Sequence, residues 1–356
     1  MDFCGCSLSA ADDNVLTKLN DFLGFGKREA YFDERMLNHY DVDTRAVGYI
    51  MQPKKPHYKI IKAGKAFSDE WGIIRKFING YWEIVGSPLA DKSYNEILNY
   101  PFPDIDSLEI DYLREHAAAA KKLFEKTDKI VVSSHPVYGV FEIACWMFGF
   151  DDFLYRMAAE PETVHMFFEK YLSYQKSISK IYYDAIGKYC HITTSGDDFA
   201  TQGSTFCSKA MFDELIKPYF KERIQYTKFL TSAKFLHHSC GNVSSLIPSL
   251  IDCGVDILNP IQPCGDAMLP AQLCKNYGNN IVFHGGFDTQ HTLLHCAPKE
   301  IESKVKEIFK GMKDCSYIFA AAHNIQNDVP IENLNAMLLA GKKYKNLNIQ
   351  CFRDFL

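Results

Sequence analysis

The sequence lacks any apolar run approaching the roughly 20 residues needed to span a bilayer. Its first residues, MDFCGCSLSAADDN, carry neither the basic segment nor the apolar stretch of a secretory leader. A cytoplasmic protein with no membrane partner is the expectation. A basic field is missing too: 39 lysines and arginines stand against 44 acids, a net charge of -5, and the lysines are scattered. Phosphate backbones find no attractive surface there, so no nucleic acid partner is expected. Prolines number only 14 in 356 residues, and neither a low-complexity stretch nor a repeat of fixed period occurs, which argues against disorder and against a solenoid.

Cysteine is not scarce. Twelve of them without a leader read as reduced thiols rather than as a disulfide framework, most serving as small buried hydrophobes. Cys4 and Cys6 have a Cys-x-Cys spacing able to hold a soft metal, although a lone pair near a terminus more often arises by chance.

With 47% hydrophobic and 23% charged residues, the chain can bury a sizeable core. Its second half alternates short β-rich runs with helical patterns, the mark of successive βα units around a parallel sheet. The runs are Ile130 to Ser134, Ile192 to Ser195, Phe235 to His238, Ile257 to Pro260, Ile281 to His284 and Tyr317 to Ala320. Between them, Glu300 to Lys313 places Ile301, Val305, Ile308 and Phe309 at helical spacing, as a helix covering a barrel does. Arg45 to Met51 supplies a seventh strand and an eighth is not obvious. Residues 10 to 40 look helical, and residues 68 to 112 look irregular and rich in aromatics. The expected architecture is α/β, a (β/α)8 TIM barrel built as one domain over 1–356. Residues 1–112 would form an N-terminal helical and irregular extension capping the barrel, and 113–356 its body.

In such a barrel the reacting groups sit where strands end, so polar clusters after the apolar runs are the candidates. Four stand out: Gly196-Asp197-Asp198 with Gln202, His237-His238-Ser239-Cys240-Gly241, His284-Gly285-Gly286-Phe287-Asp288, and His323-Asn324-Ile325-Gln326. An imidazole and a thiolate two positions apart, turned by a following glycine, suit Zn2+ at about 2.0 to 2.3 Å. His238 and Cys240 are that pair, with His323, Cys264 and the Asp197/Asp198 pair as available third ligands. Asp197, Asp198 and Gln202 are the catalytic candidates, to orient a ligand or act as a general acid; an adjacent Asp pair serves equally well as a helix N-cap. Gly285 and Gly286 would let backbone approach a cofactor, or simply make a tight turn, and Asp288 and Gln290 would contact substrate. His237 should face away from His238 and pack in the core. His135 and Tyr138 would line the mouth, and Trp71, Trp82, Phe141 and Trp146 form either an aromatic wall or ordinary core.

The segments FLHHSCGNVSSLIPSLIDCGVDILNPIQP, IVFHGGFDTQHTL and YIFAAAHNIQNDVPIENLNAM resemble the C-terminal half of uroporphyrinogen decarboxylase-like proteins. DEWG at Asp69 to Gly72, SPLAD at Ser87 to Asp91 and GDDFATQ at Gly196 to Gln202 extend the likeness more loosely upstream. Decarboxylases of that superfamily hold substrate carboxylates with an Arg-Gln-Ala-Gly-Arg motif, whose counterpart here, Gly48 to Lys54, reads GYIMQPK. Without those guanidinium groups an octacarboxylate loses its anchors, which disfavours porphyrinogen decarboxylation. The resemblance implies instead the corrinoid and coenzyme M methyltransferase branch, with zinc on His238, Cys240 and, at the place of a later cysteine, His323. It implies transfer between a small methyl donor, such as an aromatic methyl ether, or a thiol acceptor, and a corrinoid on a separate protein. This chain has no Asp-x-His-x-x-Gly segment of its own to ligate cobalt. A homodimer is compatible with this reading. A catalytically silent barrel that binds a ligand or a corrinoid protein is the alternative from another class.

Overall fold

The computed structural model describes residues 13–54, 59–62, 65–78 and 81–345. The Cys4 and Cys6 pair lies outside the described residues. In chain order the strands are β1 (Thr44–Val47), β2 (Lys59–Lys62), β3 (Ala66–Ser68), β4 (Ile74–Ile78), β5 (Tyr81–Gly86), β6 (Ile130–Ser134), β7 (Ile192–Gly196), β8 (Lys234–His238), β9 (Ile257–Ile261), β10 (Val282–Phe287) and β11 (Tyr317–Ala321). All seven runs expected from the sequence are strands. They form one parallel sheet in the order β1-β6-β7-β8-β9-β10-β11, with helices in the connections, the curled sheet of a (β/α)8-type fold. No eighth parallel strand joins β11 to β1 among the described residues. Near that seam the helix Ile331–Tyr344 meets the N-terminal segment, where the Tyr40 hydroxyl donates to Asn335 Oδ1 at 2.8 Å and Lys345 pairs with Asp41 at 2.6 Å.

The period of the strands decides which groups reach the site. Ile130, Val132, Ile192, Leu236, Ile257, Val282 and Ile318 form one buried cluster, a layer contributed by β6 to β11. Successive side chains of a strand alternate faces, so the residue two positions further on shares that interior face. On β7 to β10 those residues are polar: Thr194 after Ile192, His238 after Leu236, Asn259 after Ile257 and His284 after Val282. The same alternation sends His237 outward, as expected. It is fully buried, stacked on Phe199 with centroids 5.1 Å apart and edge-on to Phe220 at 4.7 Å. Outside the sheet, the helix expected over Glu300 to Lys313 spans Pro298–Gly311 and buries Ile301, Val305 and Phe309.

Two expectations need correction. The stretch read as irregular, residues 68 to 112, contains two strands, β4 and β5, of an antiparallel four-stranded sheet, β2-β3-β4-β5, in which Phe77 and Trp82 pair 5.3 Å apart and stay largely exposed. And Cys274 and Cys315, expected as thiols, form a disulfide that ties the helix Pro270–Tyr277 to the turn before β11. The remaining described cysteines are thiols.

Candidate metal centre

At the end of β8, His238 lies in register with Asn259 of β9. That pairing lets His238 Nδ1 donate to Asn259 Oδ1 at 2.7 Å, while Asn259 Nδ2 donates to His284 Nδ1. With its proton on Nδ1, the His238 ring turns the lone pair of Nε2 toward Cys240, whose Sγ is 3.3 Å away. Gly241, at φ +82°, makes the turn that brings the thiol back beside the imidazole. Asp198 completes the group: its Oδ1 accepts the backbone N–H of Cys240 at 2.7 Å and stands 3.9 Å from His238 Nε2.

One ligand atom from each of Asp198, His238 and Cys240 lies within 4.8 Å of the other two. Ligands of a tetrahedral zinc stand about 3.5 Å apart, so small side-chain adjustments gather these three around one ion, and nitrogen, sulfur and carboxylate oxygen are donors zinc accepts. Burial, with the carboxylates of Asp198 and Glu142, pushes the Cys240 thiol well above its usual range. A divalent cation between them would reverse that, since a coordinating thiol loses its proton.

His323, expected as the third ligand, stands outside this cluster, whose third member is Asp198. The reason is geometric: β11 ends across the rim, so His323 faces Cys240 over an open cavity of about 520 Å3 that also reaches Gln202, Gln290 and Asp328. Burial and the neighbouring His238 hold its ring toward the neutral form. Cys264 is likewise outside the cluster.

The other expected site residues divide. Gln202 does line this cavity and donates to Gln290 Oε1 at 3.1 Å. Asp197 does not: fully buried, it accepts the backbone N–H groups of Val140 at 2.8 Å, Phe141 at 3.1 Å and Glu142 at 2.8 Å. It thus caps the helix Val140–Phe148 from a neighbouring strand, and burial pushes its carboxyl up to about 6 against those bonds. Gly285 and Gly286, expected near a cofactor, are buried inside β10 at φ +107° and +90°. A Cβ on Gly285 would sit 3.3 Å from Pro260 and from the backbone of Ile261, so these glycines serve close packing of β10 on β9. Asp288 accepts the backbone N–H groups of Gln290, His291 and Thr292, closing the turn into the short helix Thr292–His295 rather than facing a ligand.

A second chamber of about 190 Å3 opens on the other side of His238, lined by Tyr138, Glu142, Ser195 and His135 among others. Glu142 was not legible as a site residue, since in VFEIACWMF it looks like an ordinary first-turn acid. Burial and the charges of Asp198 and Asp197 raise its carboxyl well above the usual range. Arg223, also missed, is fully buried beneath. It donates to Ser195 Oγ, to His135 Nδ1 at 3.1 Å and to the carbonyls of Val137 and Tyr138 at 3.1 and 3.3 Å, which holds the loop after β6 in place. Of the expected aromatics, Trp71 lines a small adjoining recess and Trp146 backs Tyr138 at 4.9 Å. Phe141 is core, and Trp82 lies on the separate antiparallel sheet.

Comparison with known proteins agrees with this architecture. The chain is 25% identical over 134 residues to the methylcobamide:CoM methyltransferase MtaA of Methanosarcina barkeri, a match covering 38% of each protein. Its fold superposes on a methyltransferase from Methanosarcina mazei with a TM-score of 0.62 at 16% identity, over 92% of this chain and 90% of that one. Residues 88–344 match the uroporphyrinogen decarboxylase (URO-D) family profile. These residues make up most of the chain, from the segment after β5 through the last described helix, and the chain therefore belongs to the uroporphyrinogen decarboxylase family.

Proposed function

We propose that this protein is a zinc-dependent methyltransferase that moves a methyl group between a small methylated substrate and a corrinoid carried by a separate protein. The observation that carries the reading is the convergence of His238 Nε2, Cys240 Sγ and the Asp198 carboxylate between two cavities, one small and one open. When bound, zinc would supply Lewis acidity toward the electron pair that the substrate heteroatom keeps as its bond to the methyl carbon breaks, and the partner's corrinoid would supply the nucleophile. His238, Cys240 and Asp198 would hold the ion, Asn259 would keep Nε2 aimed at it, and Gln202 and Gln290 would meet whatever enters the larger cavity. The methyl carbon would leave without the electron pair of its old bond, which stays on the substrate heteroatom. Porphyrinogen decarboxylation gains no support from the cavity walls: among the described residues they carry no lysine or arginine, and an octacarboxylate needs cations.

The test combines metal analysis with methyl transfer to free cob(I)alamin as a surrogate for the protein-bound corrinoid. The expected result is about one zinc per chain and formation of methylcobalamin from a methylated donor, both lost in His238→Ala. Zinc-free protein, or transfer that survives His238→Ala, refutes the reading.

A further inference from the structure

Resting on that reading of the centre, we infer that its methylated substrate is a small organic cation, a methylated ammonium, seated in the 190 Å3 chamber between Glu142 and the ring of Tyr138. Charge comes first. Among the described residues that line the two cavities and the adjoining recess, there is no lysine or arginine, while each space has a carboxyl group: Glu142 in the smaller cavity, Glu70 in the recess and Asp328 in the larger. The nearest guanidinium, Arg223, is buried behind the wall and engaged with Ser195, His135 and two carbonyls. A sulfonate or carboxylate substrate would meet no lysine or arginine there, whereas a cation beside Glu142 would favour the charged form of a carboxyl group that burial otherwise raises.

Shape agrees. Tyr138 is held edge-on by Trp146, and the recess beside it is lined by Trp71 and Tyr174, themselves packed at 5.2 Å. Aromatic walls are what a quaternary ammonium prefers, because its diffuse charge is attracted to ring faces and loses little hydration on burial. Position agrees as well, since His238 borders this chamber and Cys240 the larger one, so a methyl group at the centre can be reached from the open side. Transfer from such a cation balances without a proton. The electron pair of the N–CH3 bond stays on nitrogen as a neutral amine leaves, and the partner's reduced corrinoid supplies the pair for the new bond to carbon.

The experiment is calorimetric titration of the zinc-loaded protein with three probes: choline, its uncharged isostere 3,3-dimethylbutan-1-ol, and propane-1-sulfonate. Choline is expected to bind at least about tenfold more tightly than the alcohol, about 1.4 kcal/mol, with the sulfonate weakest. Glu142→Gln should shrink the choline preference to less than about threefold with zinc content unchanged, and Tyr138→Leu should weaken choline more than the alcohol. Sulfonate binding as tight as choline, or a preference indifferent to both substitutions, overturns the inference. Choline selectivity in a protein that takes up no zinc would sustain this inference while removing the transferase reading, and zinc uptake with sulfonate preference would do the reverse.

Discussion

Asn259 would not itself hold a metal ion, yet the proposed centre depends on it. Its side chain is almost fully buried between two imidazoles, accepting from His238 Nδ1 at 2.7 Å and donating to His284. In Asn259→Ala the His238 ring loses the partner that fixes both its tautomer and its rotation, and Nε2 is free to carry the proton instead. Removing such an orienting partner weakens metal binding by about 10- to 100-fold, or about 1.4 to 2.7 kcal/mol. The same change takes one hydrogen bond from each of the two histidines, a further cost of about 1 kcal/mol each to folding. Asn259→Asp keeps the acceptor for His238 and should hold zinc nearly as well as wild type, provided His284 switches tautomer to donate to the new carboxylate. Zinc affinity is measured by competition with a chromophoric chelator, and stability by urea unfolding of the metal-free protein. An Asn259→Ala variant whose zinc affinity stays within about twofold of wild type would refute the argument that the His238–Asn259 bond aims the ligand.

Ligand substitutions should separate the cluster from its surroundings: Cys240→Ser and Asp198→Asn lower zinc content, whereas His323→Ala retains it, and loss of zinc in the last would return His323 to the ligand set. Asp197→Ala strips three backbone N–H groups of their acceptor at the start of the helix Val140–Phe148. It should destabilise the fold by about 2 to 4 kcal/mol in denaturant unfolding, and an effect below about 0.5 kcal/mol would contradict the capping role. His135 and His237 are buried, and burial holds both well below the usual histidine range. The unfolded chain therefore binds more protons below pH about 6.5, so stability is full above that pH and falls as pH drops, by up to about 1.4 kcal/mol per pH unit for each ring. His237→Phe, which keeps the stacking on Phe199 and Phe220, should flatten the slope between pH 6 and 5 by up to about 1.4 kcal/mol per pH unit, and an unchanged slope would show that His237 is not held neutral.

Much of the barrel was readable because its strands are short apolar runs ending in polar residues, and a fully buried strand cannot be written otherwise. The antiparallel sheet was missed although its signal is present: IRKFI and YWEIVG are separated by Asn-Gly, the pair that favours a two-residue hairpin turn. The density of aromatics around that pair masks the strand alternation. His238 and Cys240 were legible because they are two positions apart on one strand end, where local geometry alone brings them together. Asp198 is a catalytic candidate and an available ligand in the sequence, preferred there over Asp197 on little local ground.

What the sequence determined by itself is periodic: which runs are strands, which face of each looks inward, and hence that His238 points into the barrel and His237 away from it. What only the tertiary structure decided is everything set by distance between strands. The register of β8 on β9 put Asn259 behind His238, the rim width left His323 across a cavity, and the approach of the helix Val140–Phe148 took Asp197 for its N–H groups and placed Glu142 at the centre. Alternation along a strand is a property of one chain segment, whereas a metal site is closed by residues whose separation in space no local pattern encodes.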